Sequence, residues 1–262
     1  MNDTDFKAAC AALLDARRAG RRIDPLPATW VPQGLDEACR VQQAVSAASG
    51  PIRGWKISGL TPDQQRAMGV TQPLCAPLLE PWVRDTGGSF ALAQLIRPRL
   101  ECEFAFELQH DLPARAAPYT RADVEAAIGA LRIAIEIVDT RLPAASSVWM
   151  ELADDLNNGG FVVGPATSAW RTLRYADQEI VLRRTVDGRS TELARGDGRP
   201  ILDGDPVGAV VLLANLPVTH RRGLRAGDIV TTGSCTGAVA VPGPGDYEAD
   251  FGTLGRVQLR IS

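Results

Sequence analysis

The stretch at residues 99–108, RLECEFAFEL, decides how the surrounding chain is interpreted, because it predicts a strand with two different faces. Side chains alternate between the two faces of a β-strand. The apolar face carries Leu100, Cys102, Phe104 and Phe106. The other face carries two carboxylates, those of Glu101 and Glu103, together with Ala105. The apolar face predicts contact with a hydrophobic core.

Short apolar runs separated by glycine and proline continue on both sides of this strand and favour a β-rich body. They are GWKIS and PLLEPWV before it, and FVVG, IVLRRTVDG, DIVTTG and YEADFGTLGRVQLRI after it. Two helices are expected to interrupt the strands. Thr120 and Asp123 form a capping-box pattern for a helix that extends to Leu131 and leads into the strand IAIEIVD. Asp205 precedes a proline at the start of a helix that runs through Ala214.

The N-terminal region has a different hydrophobic pattern, with apolar residues at helical spacing over residues 3–19 and 35–45. We therefore expect a small helical lobe, residues 1–50, ahead of a β-rich body, residues 51–262. The fold class is α+β, with a curved or rolled mixed sheet. The 262 residues suffice to bury a sizeable core.

Composition excludes several functional classes. Apolar residues make up 45% of the chain, charged residues 23%, and the net charge is −3 with both signs interspersed, so neither nucleic acid nor an anionic membrane is an expected partner. No apolar run approaches the roughly 18 to 20 residues of a membrane span, and the first residues lack a secretory signal. We expect a cytoplasmic protein whose five dispersed cysteines are reduced thiols without zinc.

Glu101 and Glu103 project side by side from the strand described above. On an exposed edge they would form a solvated face; in a cavity their mutual repulsion calls for a cation. Oxygen-only ligands suit Mg²⁺, Mn²⁺ or Ca²⁺ rather than zinc or copper.

Glu136 lies in IAIEIVD, which is apolar on both faces and therefore predicts burial. A buried carboxylate needs a cation, a hydrogen-bonding partner or a raised pKa. Its partner is either a metal ion shared with other acids or a salt bridge to Arg132 or Arg141.

Three segments, GWKI at 54–57, PRLECE at 98–103 and AIEIVD at 134–139, occur in the order found in a known family. The chain resembles the 2-keto-4-pentenoate hydratase and 4-oxalocrotonate decarboxylase branch of the fumarylacetoacetate hydrolase superfamily from about residue 50 onward. The segments AD at 153–154, GFVVG at 160–164, GDP at 204–206 and GDIVTTG at 227–233 extend the resemblance. It implies a fumarylacetoacetate-hydrolase-like mixed β-roll or sandwich behind the helical lobe.

The resemblance implies a divalent metal, Mg²⁺ or Mn²⁺, held by three carboxylates that match Glu101, Glu103 and Glu136. It implies that Lys56 transfers protons or stabilises an enolate, with burial expected to lower its pKa. Asp154 matches a further site position; Asp154 and Asp155 could instead cap a turn.

The turn Thr232-Gly233-Ser234 offers hydroxyls and backbone N–H groups suited to a substrate carboxylate, although such turns are also common for structural reasons. Cys235 is not expected to be a nucleophile. His110 and His220 are expected on surface loops, which disfavours the histidine-dependent C–C hydrolases of the superfamily.

The resemblance implies a metal-dependent lyase that ketonises a short 2-hydroxy-2,4-dienoate and adds water to it. Leu74 stands where related hydratases often carry an acid, so a second proton-transfer group would come from Glu107, Asp154 or Asp155. The alternatives are a 4-oxalocrotonate-type decarboxylase and a noncatalytic partner of such an enzyme. A homo-oligomer is expected by analogy, with a complex between hydratase and decarboxylase as a further possibility.

Overall fold

The computed structural model describes residues 1–144, 146–216 and 222–262. These ranges contain six α-helices: α1 Asp3–Ala19, α2 Leu35–Ser49, α3 Pro62–Met68, α4 Arg121–Ala127, α5 Val148–Ala153 and α6 Pro206–Ala214. The first strands are β1 Ile52–Ser58, β2 Leu74–Leu79, β3 Val83–Asp85, β4 Gly88–Phe90, β5 Arg99–Leu108, β6 Ile128–Val138 and β7 Asn158–Thr167. The remaining strands are β8 Ile180–Val186, β9 Arg189–Gly196, β10 Ile229–Ser234, β11 Val239–Ala240, β12 Gly245–Asp250 and β13 Arg256–Ile261.

The strands form two sheets, both of the predicted mixed type, where the strand pattern alone predicted one curved or rolled sheet. The larger sheet has eight strands in the order β2-β1-β10-β5-β6-β7-β3, with β11 paired to β5. Within it, β1 runs parallel to β10 and β3 runs parallel to β7, while the other pairs are antiparallel. The smaller sheet has the order β4-β13-β12-β8-β9.

The main hydrophobic core joins one face of β5 to residues of the smaller sheet, which confirms the predicted alternation. Phe104 is fully buried and meets Phe251, just after β12, with ring centroids 5.7 Å apart and edge-on geometry. It also meets Tyr175 at 5.0 Å. Aromatic pairs in this geometry stabilise a core beyond their area alone. This packing turns the opposite face of β5, which carries Glu101 and Glu103, away from the core.

The predicted helix caps are present, but one helix is shorter than expected. Thr120 and Asp123 form the complete capping box of α4, and Asp205 accepts a hydrogen bond from the Gly208 N–H at the start of α6. The prediction that α4 reaches Leu131 is wrong, because Ile128 already has extended backbone and begins β6. Pairing with β5 from Ile128 onward outweighs the helical spacing of the apolar side chains.

The two N-terminal helices pack on the body rather than standing apart from it. Leu13 of α1 and Val45 of α2 share a hydrophobic cluster with Leu142, Met150 and Ala153, which lie far along the chain. The boundary at residue 50 stays a prediction. Among the described residues, no helix combines the length and hydropathy that a membrane span requires.

Candidate active site

A cavity of about 530 Å³ opens beside β1, β5, β6 and β10 and contains most of the residues singled out from sequence. Its polar lining includes the charged groups Lys56, Glu101, Glu103 and Glu136 together with Ser58, Gln64 and Ser234. The apolar part of the lining includes Ile57, Leu60, Ala67, Met68, Pro200 and Ile201. Lys56 is the one basic side chain lining this cavity in the described part of the chain.

The three carboxylates meet because of strand alternation and strand register. Glu101 and Glu103 lie two positions apart on β5, and Glu136 stands directly opposite Glu101 on β6. Facing residues of neighbouring strands bring their side chains close together. One carboxylate oxygen from each residue lies within 4.8 Å of the others, and Glu103 and Glu136 are each only 1% exposed.

Lys56 reaches the cluster from β1, which is separated from β5 by β10. β1 pairs closely with β10 at Gly54, where a Cβ atom would lie only 2.0 Å from the carbonyl oxygen of Ile229, so this position requires glycine. The Lys56 ammonium donates to Glu136 Oε1 at 2.5 Å and to the backbone carbonyl oxygen of Leu156 at 3.2 Å. Glu136 is therefore paired with Lys56, whereas Arg132 and Arg141, the partners considered from sequence, bind other acids.

The cluster carries more negative than positive charge. Burial, followed by repulsion from Glu136, raises the pKa of Glu101 to about 7, and the same causes raise the pKa of Glu103 well above its ordinary value. Burial alone would lower the pKa of Lys56, but attraction to Glu136, Glu101 and Glu103 outweighs burial and raises it. The expectation of a lowered lysine pKa is therefore wrong, because it considered burial without the surrounding carboxylates.

This donor set suits a divalent cation. The three carboxylates and one ammonium leave an uncompensated charge of two negative units when all are ionised, in a place where unpaired charge is strongly disfavoured. Carboxylate oxygens without a neighbouring cysteine or histidine match hard ions such as Mg²⁺ and Mn²⁺. The residues present thus form a possible acidic metal site.

The last residues of β10, where the sequence predicts a turn, instead form the irregularly paired end of this strand and contribute one hydroxyl without a protein partner to the cavity. The Gly233 N–H donates to Glu103 Oε2 at 2.8 Å, which orients that carboxylate. The Thr232 hydroxyl donates to the Phe104 carbonyl oxygen at 2.9 Å, and Thr232 does not line the cavity. Ser234 lines the cavity, and its buried hydroxyl has no partner among the described residues.

Asp154 lies outside the cavity, in a buried ion network. Its carboxylate accepts from Arg141 Nε at 2.9 Å and 3.0 Å and lies 3.8 Å from an Arg17 nitrogen. Asp154 is fully buried and does not line the cavity. A contact that sequence reasoning missed comes from Asn158, whose amide donates to Glu136 Oε1 at 2.9 Å. Its place in the run NNGG predicts only a turn, and no local pattern indicates this contact.

The proposed replacements for the acid missing at Leu74 also lie outside the cavity. Glu107 pairs with Arg132 at 2.6 Å, and Asp155 pairs with Arg17 at 2.9 Å. Leu74 itself is buried in a hydrophobic cluster. None of these residues lines the described cavity beside Lys56.

The other reactive side chains also stand apart from the cavity. His110 is exposed, as predicted, and His220 lies outside the described residues. All five cysteines are buried, and none of them forms a disulfide. Burial raises the pKa of Cys235 well above its ordinary value, which disfavours the thiolate a nucleophile requires.

Comparison with known proteins places these features in a family, although no family model matches the chain. A 2-keto-4-pentenoate hydratase from Burkholderia vietnamiensis is 32% identical over 266 residues, covering 100% of this chain and 99% of that protein. A 2-keto-4-pentenoate hydratase from Dechloromonas aromatica is 33% identical over 95% of this chain and 94% of its own.

A solved structure of 4-oxalocrotonate decarboxylase from Pseudomonas putida G7, complexed with magnesium and adipate, superimposes with a TM-score of 0.85. It covers 100% of this chain and 99% of that one, at 22% identity. This likeness confirms the fumarylacetoacetate-hydrolase-like fold. The sequence matches over the full length show that the chain belongs to the 2-keto-4-pentenoate hydratase family.

Proposed function

We propose that this protein is a metal-dependent hydratase that adds water to a short 2-hydroxy-2,4-dienoate, as the names of its relatives suggest. The observation that carries the proposal is the buried cluster of three carboxylates with Lys56 at the wall of one cavity. Glu101, Glu103 and Glu136 would hold Mg²⁺ or Mn²⁺. When bound, such an ion supplies Lewis acidity to the oxygens of an α-keto acid.

Lys56 is held as a hydrogen-bond donor. Both of its protein contacts, Glu136 Oε1 and the Leu156 carbonyl oxygen, are acceptors, and an ammonium group carries three protons. The remaining N–H can donate to the oxygen that becomes negative when the substrate's enol loses its proton. Lys56 thus stabilises the enolate, which is the second of the two roles considered for it from sequence.

Ser234 is proposed to bind the substrate's carboxylate. Its hydroxyl lines the cavity without a partner in the described structure, whereas the Thr232 hydroxyl and the Gly233 N–H are already engaged. A donor without a protein partner can bind an anion without first breaking an internal hydrogen bond. The proposed substrate-binding role therefore belongs to Ser234.

The reaction conserves every atom of the dienoate and of one water molecule. The enol O–H proton leaves, a proton adds to the far end of the diene to give a conjugated ketone, and water then adds to the double bond of that ketone. The described groups of the cavity that can exchange protons are Lys56, the three carboxylates, and the hydroxyls of Ser58 and Ser234.

The cavity lining favours hydration over decarboxylation of a dicarboxylate. A second substrate carboxylate would need its own cation or a set of donors. Lys56 already pairs with Glu136, and the described walls carry no arginine. Leu60, Met68 and Ile201 instead offer apolar contact, which suits the uncharged end of a short dienoate.

The test uses the purified protein after removal of metal. It is incubated with 2-hydroxypenta-2,4-dienoate and separately with 2-hydroxymuconate, with and without Mg²⁺ or Mn²⁺, while dienol absorbance and CO₂ are followed. Metal-dependent loss of the first dienol without CO₂ supports the hydratase. Release of CO₂ from the dicarboxylate would instead establish a decarboxylase, and the absence of both reactions despite metal binding would favour another keto-acid substrate or the noncatalytic partner.

A further inference from the structure

Three consecutive residues just before β7 have left-handed backbone, and none of them is glycine. The φ angles are 53° for Asp155, 50° for Leu156 and 60° for Asn157. This region is unfavourable for residues with a Cβ atom, especially for leucine, so the surrounding structure must hold the segment in place. We call residues 155–157 the left-handed turn.

The left-handed turn and the residue directly after it each supply one contact to the candidate active site. Its Leu156 carbonyl oxygen accepts a hydrogen bond from the Lys56 ammonium at 3.2 Å. Asn158, which immediately follows it, donates to Glu136 Oε1 at 2.9 Å. A shift of this backbone would therefore move partners of both Lys56 and Glu136 together.

The N-terminal lobe, residues 1–50, holds the left-handed turn from the opposite side. An Arg17 nitrogen of α1 lies 2.9 Å from Asp155 Oδ2, and the Ser46 hydroxyl of α2 lies 3.0 Å from Asp155 Oδ1. All three residues are buried, Asp155 fully so. The Leu156 side chain packs in a hydrophobic cluster with Ala38 of α2. The lobe thus fixes the turn by charge, by a hydroxyl contact and by packing.

We propose that Asp155 is a positioning residue through which the N-terminal lobe sets the placement of Lys56 in the active site. The lobe contributes no side chain to the described cavity lining, yet Arg17 and Ser46 act on Lys56 through the Leu156 carbonyl. The expected effect on kcat rests on the proposed function. The effect on the position of Lys56 does not depend on it.

The lysine content of the chain provides a direct test, because Lys7 and Lys56 are its only lysines. Reductive methylation followed by mass spectrometry reports the labelling of each, with the exposed Lys7 as an internal reference. Asp155→Asn removes the charge, while asparagine tolerates left-handed backbone as aspartate does. Ser46→Ala removes the hydroxyl contact. Val45→Ala, on the same helix, removes buried packing without touching the ion network and serves as the matched control.

In Asp155→Asn and Ser46→Ala, we expect Lys56 labelling relative to Lys7 to rise at least about threefold, and kcat to fall about tenfold with KM little changed. Val45→Ala should lower the Tm while leaving the labelling ratio and kcat at wild-type values. Unchanged labelling ratios in both test variants would overturn the proposal. If the labelling ratio changes in the variants but the wild-type protein turns over neither dienoate, the proposed function is rejected and the positioning role is kept. If Asp155→Asn does not fold, Ser46→Ala with its neighbouring control decides.

Discussion

Replacement of Glu101 by glutamine should stabilise the metal-free protein at alkaline pH. The pKa of Glu101 is raised from 4.5 to about 7 by burial and then by repulsion from Glu136. Because one pH unit of displacement corresponds to about 1.4 kcal/mol, the ionised carboxylate costs the metal-free fold about 3 kcal/mol at about pH 8.5. The folded state retains the proton more tightly, so this cost is absent well below pH 4.5, grows as the pH rises from 4.5 to about 7 and is fully developed above that. Glutamine removes the charge, and the Tm should rise by roughly 5 to 10 °C.

The same substitution should remove the response to metal. An ion at about 100 times its Kd stabilises the native wild-type protein by about 2.7 kcal/mol, whereas a variant lacking one ligand gains little. Thermal unfolding with chelator and with Mg²⁺, at about pH 5 and about pH 8.5, measures both effects. The variant should be the more stable protein with chelator at alkaline pH and the less responsive one with Mg²⁺.

The matched control is Glu107→Gln, which makes the same chemical change on the same strand. Glu107 pairs with Arg132 and does not line the cavity, so its replacement should preserve the metal response. If Glu101→Gln and wild type show the same pH dependence of stability with chelator, the pKa of Glu101 is not raised by burial. If Mg²⁺ stabilises the variant as much as the wild type, Glu101 is not a metal ligand.

Four further predictions concern the site and the buried cysteines. Lys56→Met should retain Mg²⁺-dependent stabilisation but lose most turnover, since the carboxylates remain while the donor to the enolate is gone; near-normal kcat would reject its role. Ser234→Ala should raise KM about tenfold, corresponding to about 1.4 kcal/mol, with little change in Tm, because its hydroxyl has no protein partner in the described structure. Thr232→Val should instead lower the Tm, because it removes the hydrogen bond to Phe104, and a larger effect on KM than on Tm would contradict this placement. A thiol reagent at about pH 8 should modify the five buried cysteines only after unfolding, since burial raises the pKa of Cys102 to about 12 and that of Cys75 still further; rapid labelling of native protein would contradict their burial.

The strand alternation of residues 99–108 determines much of the candidate site through local sequence alone. A period of two places Glu101 and Glu103 on one face, and an apolar surrounding on both sides predicts burial of Glu136. The helix caps at Thr120 and Asp205 are equally local, and the structure contains both. Local spacing misplaced the end of α4, because strand pairing at Ile128 is a long-range interaction.

The partner of each buried charge depended on tertiary structure. Lys56 and Glu136 are 80 positions apart in the chain, and Arg17 and Asp155 are likewise brought together from distant segments of the chain. A pKa depends on every charge within a few ångströms, so burial alone gave the wrong direction for Lys56. The sequence by itself determined which residues share a strand face or begin a helix, because those properties follow from neighbours along the chain. Only the tertiary structure decided which charges pair, which hydroxyl stays free and which turn supports the lysine, because those contacts depend on strand register and on packing between distant segments.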